Sequence, residues 1–420
     1  MPPVSVPFNG SGGIHQAEIF TGDVQAASSE IERYCERVRS AILGGVLLVI
    51  GLVFIATGVL PIEDAVDVAD RVWPILLFVV AITVVTELAA EAGLFGLIAE
   101  RTATWGGGRA WVLWLLVVAL AVASTVFLSL DTTAVLLTPV VVLLARHVGL
   151  SPLPFALTSV WMANTASLLL PVSNLTNLLA EHELGGLGAG GFAALMIAPA
   201  TVAVLVPAVL LFLIYRRELV KRYHPAEKDV REDRVLLWAS GITIAIVIPL
   251  LVSGLPVWIP AVAGAVVLGG FFAVRRRSAL GVRLIPWQLV VLASGLFLVV
   301  EAAHSLGLAV ALGAVAGGGE HPLDLLKLAG TGLVGANLVN NLPAYLALEP
   351  IAGSPVRVAA LLIGVNAGPL ITPWASLATL LWHERLTSMG VEISWRRYAL
   401  LGLIAAPVTV GLATLALSLF

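Results

Sequence analysis

The sequence predicts an all-α polytopic membrane protein of two inverted-topology repeats, with two re-entrant hairpins and two discontinuous helices. Three observations predict it. The 420 residues are 59% hydrophobic and only 12% charged, with a mean hydropathy of +1.01, where a soluble domain carries about 25% charged residues. The chain resembles itself at an offset of 202 residues. Its basic residues also segregate to one side of a single threading through a bilayer.

Apolar stretches of about 20 residues, the length that spans a hydrocarbon core, recur from Ala41 onward. A β-barrel would show short alternating segments instead. Helices are expected at about 41–60, 72–99, 155–181, 192–215, 235–252, 257–274, 286–312, 356–383 and 396–419. Two regions, about 109–147 and 323–352, each have a polar, proline-bearing centre between apolar arms. They are expected to be hairpins that enter and leave the membrane on the same side. Such backbone is tolerated only where protein buries it or it lines a wet cavity. The polar residues 1–40 lack a basic start followed by an apolar core, so they form an N-terminal arm rather than a secretory signal. Ser29 to Ser40 reads as a short charged helix at the surface.

With the N-terminus in the cytoplasm, 20 of the 23 Lys and Arg residues fall inside, as the positive-inside rule requires. Only Arg71, Lys327 and Arg357 fall outside. The chain then divides into the arm (1–40), a first repeat (41–215), a basic cytoplasmic loop with a linking helix (216–256), and a second repeat (257–420). The C-terminus lies outside.

The repeat is clearest where Asn164 through Leu179 aligns without gaps to Asn366 through Leu381. Asn164 meets Asn366, Pro171 meets Pro373, Asn174 meets Ser376 and Asn177 meets Thr379. Trp73 and Glu87 have the same spacing as Trp287 and Glu301, and Gly93 matches Gly307. Proline removes a backbone donor and clashes with the preceding turn, so helix breaks are expected at Pro171 and Pro373. Inverted repeats with broken helices at matching places point to a secondary transporter, with its site near the midplane.

The polar residues around these breaks are the expected solute-binding set: Asn164, Ser173, Asn174 and Asn177 in one half, Asn366, Thr372, Ser376 and Thr379 in the other. The hairpin tips add Asp131, Thr132 and Thr133, and Asn337, Asn340 and Asn341. The bland alternative is that Asn, Ser and Thr merely join packed helices. Asp131 is an ionisable group inside the membrane, which marks function by default; it also suits an N-cap. Asp131, Glu87 and Glu301 are the expected proton-coupling groups, and the alternative for the two glutamates is anchoring at the interface. Glu91 and His304 lie one turn further on.

Several classes are excluded. A single cysteine, Cys35, rules out a disulfide framework and a multi-cysteine metal site. No Walker A and no HExxH motif is present, so the chain alone hydrolyses no ATP, and no metal or other cofactor is expected. An intramembrane enzyme would need a nucleophile–base pair or two facing aspartates, and only Asp131 is a core aspartate. A secondary transporter is expected rather than an enzyme, and no nucleic-acid partner.

Leu130-Asp-Thr-Thr-Ala-Val-Leu-Leu-Thr-Pro139, Asn164-Thr-Ala-Ser-Leu168, Val172-Ser-Asn-Leu-Thr-Asn177, Val339-Asn-Asn-Leu-Pro343 and Gly368 through Trp382 resemble the arsenite and antimonite efflux permeases. That family belongs to the ion-transporter superfamily that includes the sodium-coupled dicarboxylate carriers. The resemblance runs from about residue 41 to 420. It implies a transport domain moving against a scaffold, and extrusion of trivalent arsenic or antimony across the cell membrane in exchange for protons. In some members it implies a separate soluble arsenical ATPase. It places Asp131, Thr132, Asn340, Asn341, Asn164, Ser173, Asn174, Asn366 and Ser376 facing the solute. The family tends to have Asn-Asp-Gly at the first tip, and here it reads Leu130-Asp131-Thr132. The dicarboxylate carriers have Ser-Asn-Thr at both tips, and this chain has it at neither. The expected function is therefore arsenite or antimonite export, with transport of another oxyanion or a carboxylate as the alternative. A homodimer is an open alternative to a monomer.

Overall fold

A computed structural model describes residues 42–223 and 233–419. The arm 1–40, with its charged helix, and the centre of the basic loop, with Lys228 and Arg231, lie outside the described residues.

Helix α1 (Ile42–Ala56) leads into α2 (Ile62–Glu91) and α3 (Leu94–Trp105). The expected helix 72–99 is thus two helices. Gly93 holds φ 86° and ends α2, a backbone conformation that glycine adopts at little cost. α2 also begins ten residues earlier than expected, because Glu63 and Asp64 sit in its first turn, where the helix dipole favours negative charge. The acidic run that reads as a loop is its exposed N-terminal end.

An antiparallel pair follows: α4 (Ala110–Phe127) and α5 (Leu130–His147), the latter with a π-helical turn at Thr133–Leu137. Next come α6 (Pro152–Thr165), α7 (Leu175–Glu183), α8 (Gly188–Leu219), α9 (Arg234–Leu251) and α10 (Trp258–Arg275). Arg216 and Arg217, assigned to the basic loop from sequence, form the last turn of α8. Asp233 caps α9, accepting from the Val235 and Leu236 N–H groups and binding Arg275 at 2.9 Å. The Arg275 hydrogen bond holds the Asp233 carboxyl below its ordinary value.

The second half carries the same devices. α11 (Trp287–Ser305) and α12 (Leu308–Ala316) replace the expected helix 286–312, divided by Gly307 at φ 94°. α13 (Pro322–Leu338) and α14 (Asn341–Leu348) form the second antiparallel pair. α15 (Pro355–Ala367), α16 (Leu377–Ser388) and α17 (Trp395–Leu417) complete the chain.

α8 packs along α17, and α2 along α10. α1 crosses α11 where a Cβ on Gly295 would stand 2.6 Å from the Leu48 backbone nitrogen. Among the described residues, eight helices are long and apolar enough to cross a membrane. Their outer faces are apolar: Ile197, Leu205, Val209 and Leu213 line one exposed side of α8, and Leu400, Leu403, Ile404 and Val408 one side of α17. Exposed tryptophans stand at helix ends, at Trp105, Trp111 and Trp287, where an interfacial belt places them. The protein is a multi-pass α-helical membrane protein.

Candidate functional site

Two unwound segments face each other inside the bundle. α6 ends at Thr165, passes through a 3-10 turn (Ala166–Leu168), and extends at Leu170 (φ −126°, ψ 151°). Pro171 excludes an α conformation for the residue before it. A second short turn (Pro171–Ser173) then leads to extended Asn174 and into α7. The second half repeats this. α15 ends in a π turn (Ile363–Ala367), Thr372 is extended (φ −101°, ψ 151°), Pro373–Ala375 turns, and Ser376 (φ −144°, ψ 137°) leads into α16.

The two antiparallel pairs turn through a second kind of device. Ser129 (φ 155°, ψ 166°) and Asn340 (φ 144°, ψ 158°) are the two non-glycine residues with positive φ among those described. That region is nearly exclusive to glycine and costs about 1–3 kcal/mol for other residues. Each side chain offsets part of the cost by capping its helix. Ser129 Oγ accepts from the Thr132 N–H at 3.2 Å, and Asn340 Oδ1 from the Leu342 N–H at 3.2 Å.

Four half-helices therefore start at Ser129, Asn174, Asn340 and Ser376. α5 packs against α16, and α14 against α7. Helix N-termini carry free N–H groups and a positive dipole end, so the starts of these helices supply donors without a formal charge.

Asn366 joins the two halves. Its Oδ1 accepts from Asn174 Nδ2 at 3.0 Å and Thr176 Oγ1 at 2.8 Å, and its Nδ2 donates to Asn177 Oδ1 at 2.7 Å. Asn164 Nδ2 donates to Thr379 Oγ1 at 3.5 Å and to the Val160 carbonyl at 3.0 Å. Asn177 Nδ2 donates to the Ser167 and Leu170 carbonyls that the break leaves free. All of these side chains are buried.

The tips dock on the breaks of their own halves. Ser173 Oγ donates to the Val126 carbonyl at 3.0 Å, beside the first tip. Asn337 Oδ1 accepts from the Thr372 N–H at 3.0 Å, and Thr372 Oγ1 donates to the Asn337 carbonyl at 2.8 Å. Asn340 Nδ2 donates to the Trp374 carbonyl at 2.8 Å. At the first tip a chain of hydroxyls runs from Thr125 through Thr133 to Ser124, with steps of 2.8 and 2.9 Å.

Comparisons with known proteins place the chain in a family. Residues 35–379 match the family model CitMHS, citrate transporter. The arsenical pump membrane protein of Escherichia coli strain K12 is 33% identical over 412 residues, covering 90% of this chain and 93% of that protein. The chain belongs to the arsenical pump membrane protein family. The Yersinia enterocolitica member is 31% identical over 401 residues, covering 87% of this chain and 91% of that one. The crystal structure of the Alcanivorax borkumensis YdaH transporter shares the fold, with a TM-score of 0.56 at 17% identity, covering 91% of this chain and 97% of that one. This arsenical pump family member is thus a membrane transporter and not an enzyme.

Three polar groups near this cluster stand without a protein partner among the described residues. The Asp131 carboxylate, in the first turn of α5, has no ion pair or hydrogen bond. The Asn341 amide, at the start of α14, has none. Ser376 Oγ is fully buried with none. A buried hydroxyl such as Ser376 is rarely left so. Thr132 Oγ1 pairs only with Ser129 Oγ, at 3.0 Å.

The structure does not bring every expected residue into this cluster. Glu301 lines a separate cavity of about 60 Å³ with Arg71, His304 and Glu349. Glu87 lies partly buried in α2. Thr176, which sequence reasoning left out of the binding set, is part of the Asn366 network. The ion pairs of Arg71 with Glu349 and Glu183 were also missed. They join residues far apart in the chain, and no local pattern signals them.

Proposed function

We propose that this transporter exports arsenite or antimonite from the cytoplasm in exchange for protons. In this reading the two halves are inverted repeats, and the tips and broken helices carry the solute in a transport domain that moves against a scaffold. The N-terminus is cytoplasmic, the C-terminus is outside, and the protein lies in the cell membrane. The observation that carries the reading is the Asn366 network, where one asparagine ties the two broken segments together beside the starts of four half-helices.

The chemistry suits an uncharged, hydroxylated solute. Arsenous acid offers hydroxyls, and amides, hydroxyls and helix N–H groups can replace its water. Among the described residues no Lys or Arg takes part in the network, so none of them compensates a full negative charge there beyond the helix ends. Among the described residues Asp131 is the one acidic group at the cluster, and proton exchange there would alternate a carboxylate with a neutral acid. The test is arsenite resistance in cells lacking their own exporter, comparing wild type with Asp131→Asn at equal expression. Wild type should protect and the variant should not. A well-expressed wild type that gives no protection ends the arsenical reading.

A second reading, transport of a carboxylate, is favoured by the match of residues 35–379 to the citrate-transporter model. Vesicle uptake separates the two. Citrate uptake that arsenite does not inhibit, with no arsenite flux, supports the second.

A further inference from the structure

α7 and α14 are short, and each begins at the cluster. Asn174 caps α7 and Asn340 caps α14. Their other ends break a local rule. A helix C-terminus is the negative end of its dipole and disfavours carboxylates. Yet α7 ends in Glu183, and Glu349 stands at the C-cap of α14.

One guanidinium meets both. Arg71 Nη2 lies 3.3 Å from Glu183 Oε1 and 2.5 Å from Glu349 Oε1, and Tyr345 Oη donates to the same Glu349 oxygen at 2.6 Å. Arg71 projects from α2, so the knot ties a helix of the first half and a helix of the second to a third element. Glu349 is only 8% exposed; a carboxylate so placed is costly without a partner. Arg71 Nε is buried and unpartnered beside the 60 Å³ cavity, which has room and polar walls for water.

We propose that Arg71 is a positioning residue: it grips α7 and α14 by their far ends and so fixes where Asn174, Asn340 and Asn341 stand. At 1.5 Å per residue the two helices are rods of about 12–14 Å, short and rigid enough to carry a displacement from one end to the other. This rests on the site lying at the helix starts. Two carboxylates at unfavourable helix ends sharing one arginine are what a tether requires, and helix stability alone gives no reason for either.

The test needs a readout that does not depend on the solute. In a Cys35→Ser background, Asn341→Cys reports the start of α14 through its rate of reaction with a maleimide in purified, reconstituted protein. Arg71→Ala should raise that rate about tenfold, since local opening governs such access. Arg71→Lys, which keeps the charge and loses the fork, should fall between. In protein keeping Asn341, Arg71→Ala should raise KM for the transported solute about tenfold, as loss of positioning does. Unchanged cysteine reactivity in Arg71→Ala overturns the proposal. So does wild-type reactivity in Arg71→Met/Glu183→Gln/Glu349→Gln, because charge compensation alone would then explain Arg71. If Arg71→Ala does not fold, Glu349→Gln and Glu183→Gln should each raise the rate, and no change in either overturns it. A chain that moves neither arsenite nor citrate defeats the transport reading and leaves the cysteine result to judge the tether.

Discussion

Asn366 donates its side-chain amide to Asn177 at 2.7 Å, and the same bond recurs with the halves exchanged, from Asn164 to Thr379 at 3.5 Å. The offset of 202 relates Asn164 to Asn366 and Asn177 to Thr379. A contact from i to j′ matched by one from i′ to j is what a two-fold relation between similar units produces. The exchange is unequal, because Asn366 also accepts from Asn174 and Thr176, whereas Asn164 also donates to its own helix at Val160.

That inequality predicts different costs for two matched substitutions. Asn366→Ala leaves Asn177, Asn174 and Thr176 short of a partner and should cost about 1–3 kcal/mol of stability for the worst-placed group alone. Asn164→Ala breaks one long bond between the halves and one within its own helix and should cost about 0.6 kcal/mol, the usual worth of an interhelical bond in a bilayer. Thermal unfolding of both variants in detergent ranks them, and an Asn164→Ala that melts lower contradicts the assignment.

Strain at the tips makes a second prediction. Ser129→Gly and Ser129→Ala both lose the capping hydroxyl, but only glycine relieves the backbone at φ 155°. Ser129→Gly should be the more stable by about 1–3 kcal/mol. Asn340→Gly and Asn340→Ala should rank the same way. The comparison is a pair of melting curves, and alanine proving the better residue at either tip would remove the strain argument.

Transport should fail where polar groups at the starts of the half-helices are removed. Asp131→Asn, Asn341→Ala and Asn174→Ala should each lower flux of the transported solute by about a hundredfold, in keeping with loss of a proton-transfer or positioning group. Size-exclusion profiles should stay unchanged. Flux is measured in vesicles at matched protein content, and normal rates in Asn174→Ala and Asn341→Ala together would move the site elsewhere.

A fourth prediction concerns packing behind the second break. A Cβ on Gly402, in α17, would overlap the Leu370 carbonyl and come within 2.9 Å of Ile371 Cα. Gly402→Ala must therefore push the unwound segment out of place, costing about 1–3 kcal/mol or more and lowering transport with it. Gly411→Ala, with open space around it, is the control on the same helix. Equal melting temperatures for the two would contradict the close approach.

The breaks were visible in the sequence for a chemical reason. Asn, Ser and Thr are scarce in membrane spans, and a cluster of them around a proline is legible one residue at a time. The junctions at Gly93 and Gly307 were harder. A glycine inside an apolar run reads equally as a packing residue or a helix end, and only its positive φ separates the two. The start of α2 was hidden because acidic residues from Glu63 to Asp70 look like a loop until a helix dipole is there to favour them. The Asn366 bonds and the Arg71 ion pairs depend on partners 112 to 278 positions away. A single sequence carries no trace of such pairings, although the matched residues at offset 202 include Asn366, Asn174 and Asn177.

The crossed asparagine pairs bear on how the polypeptide can be cut. Trp382 also donates to the Ala156 carbonyl, and Arg146 to that of Gly390, so these ties and the asparagine pairs each have one end on either side of the stretch between Tyr223 and Asp233. Severing that stretch would yield two fragments, each with a surface of unmet amides and hydroxyls that only the other can satisfy. Neither piece would be expected to persist by itself. Co-expressed, they should find one another and reassemble, and an intact linker would matter for bringing the pieces together during synthesis rather than for keeping them so.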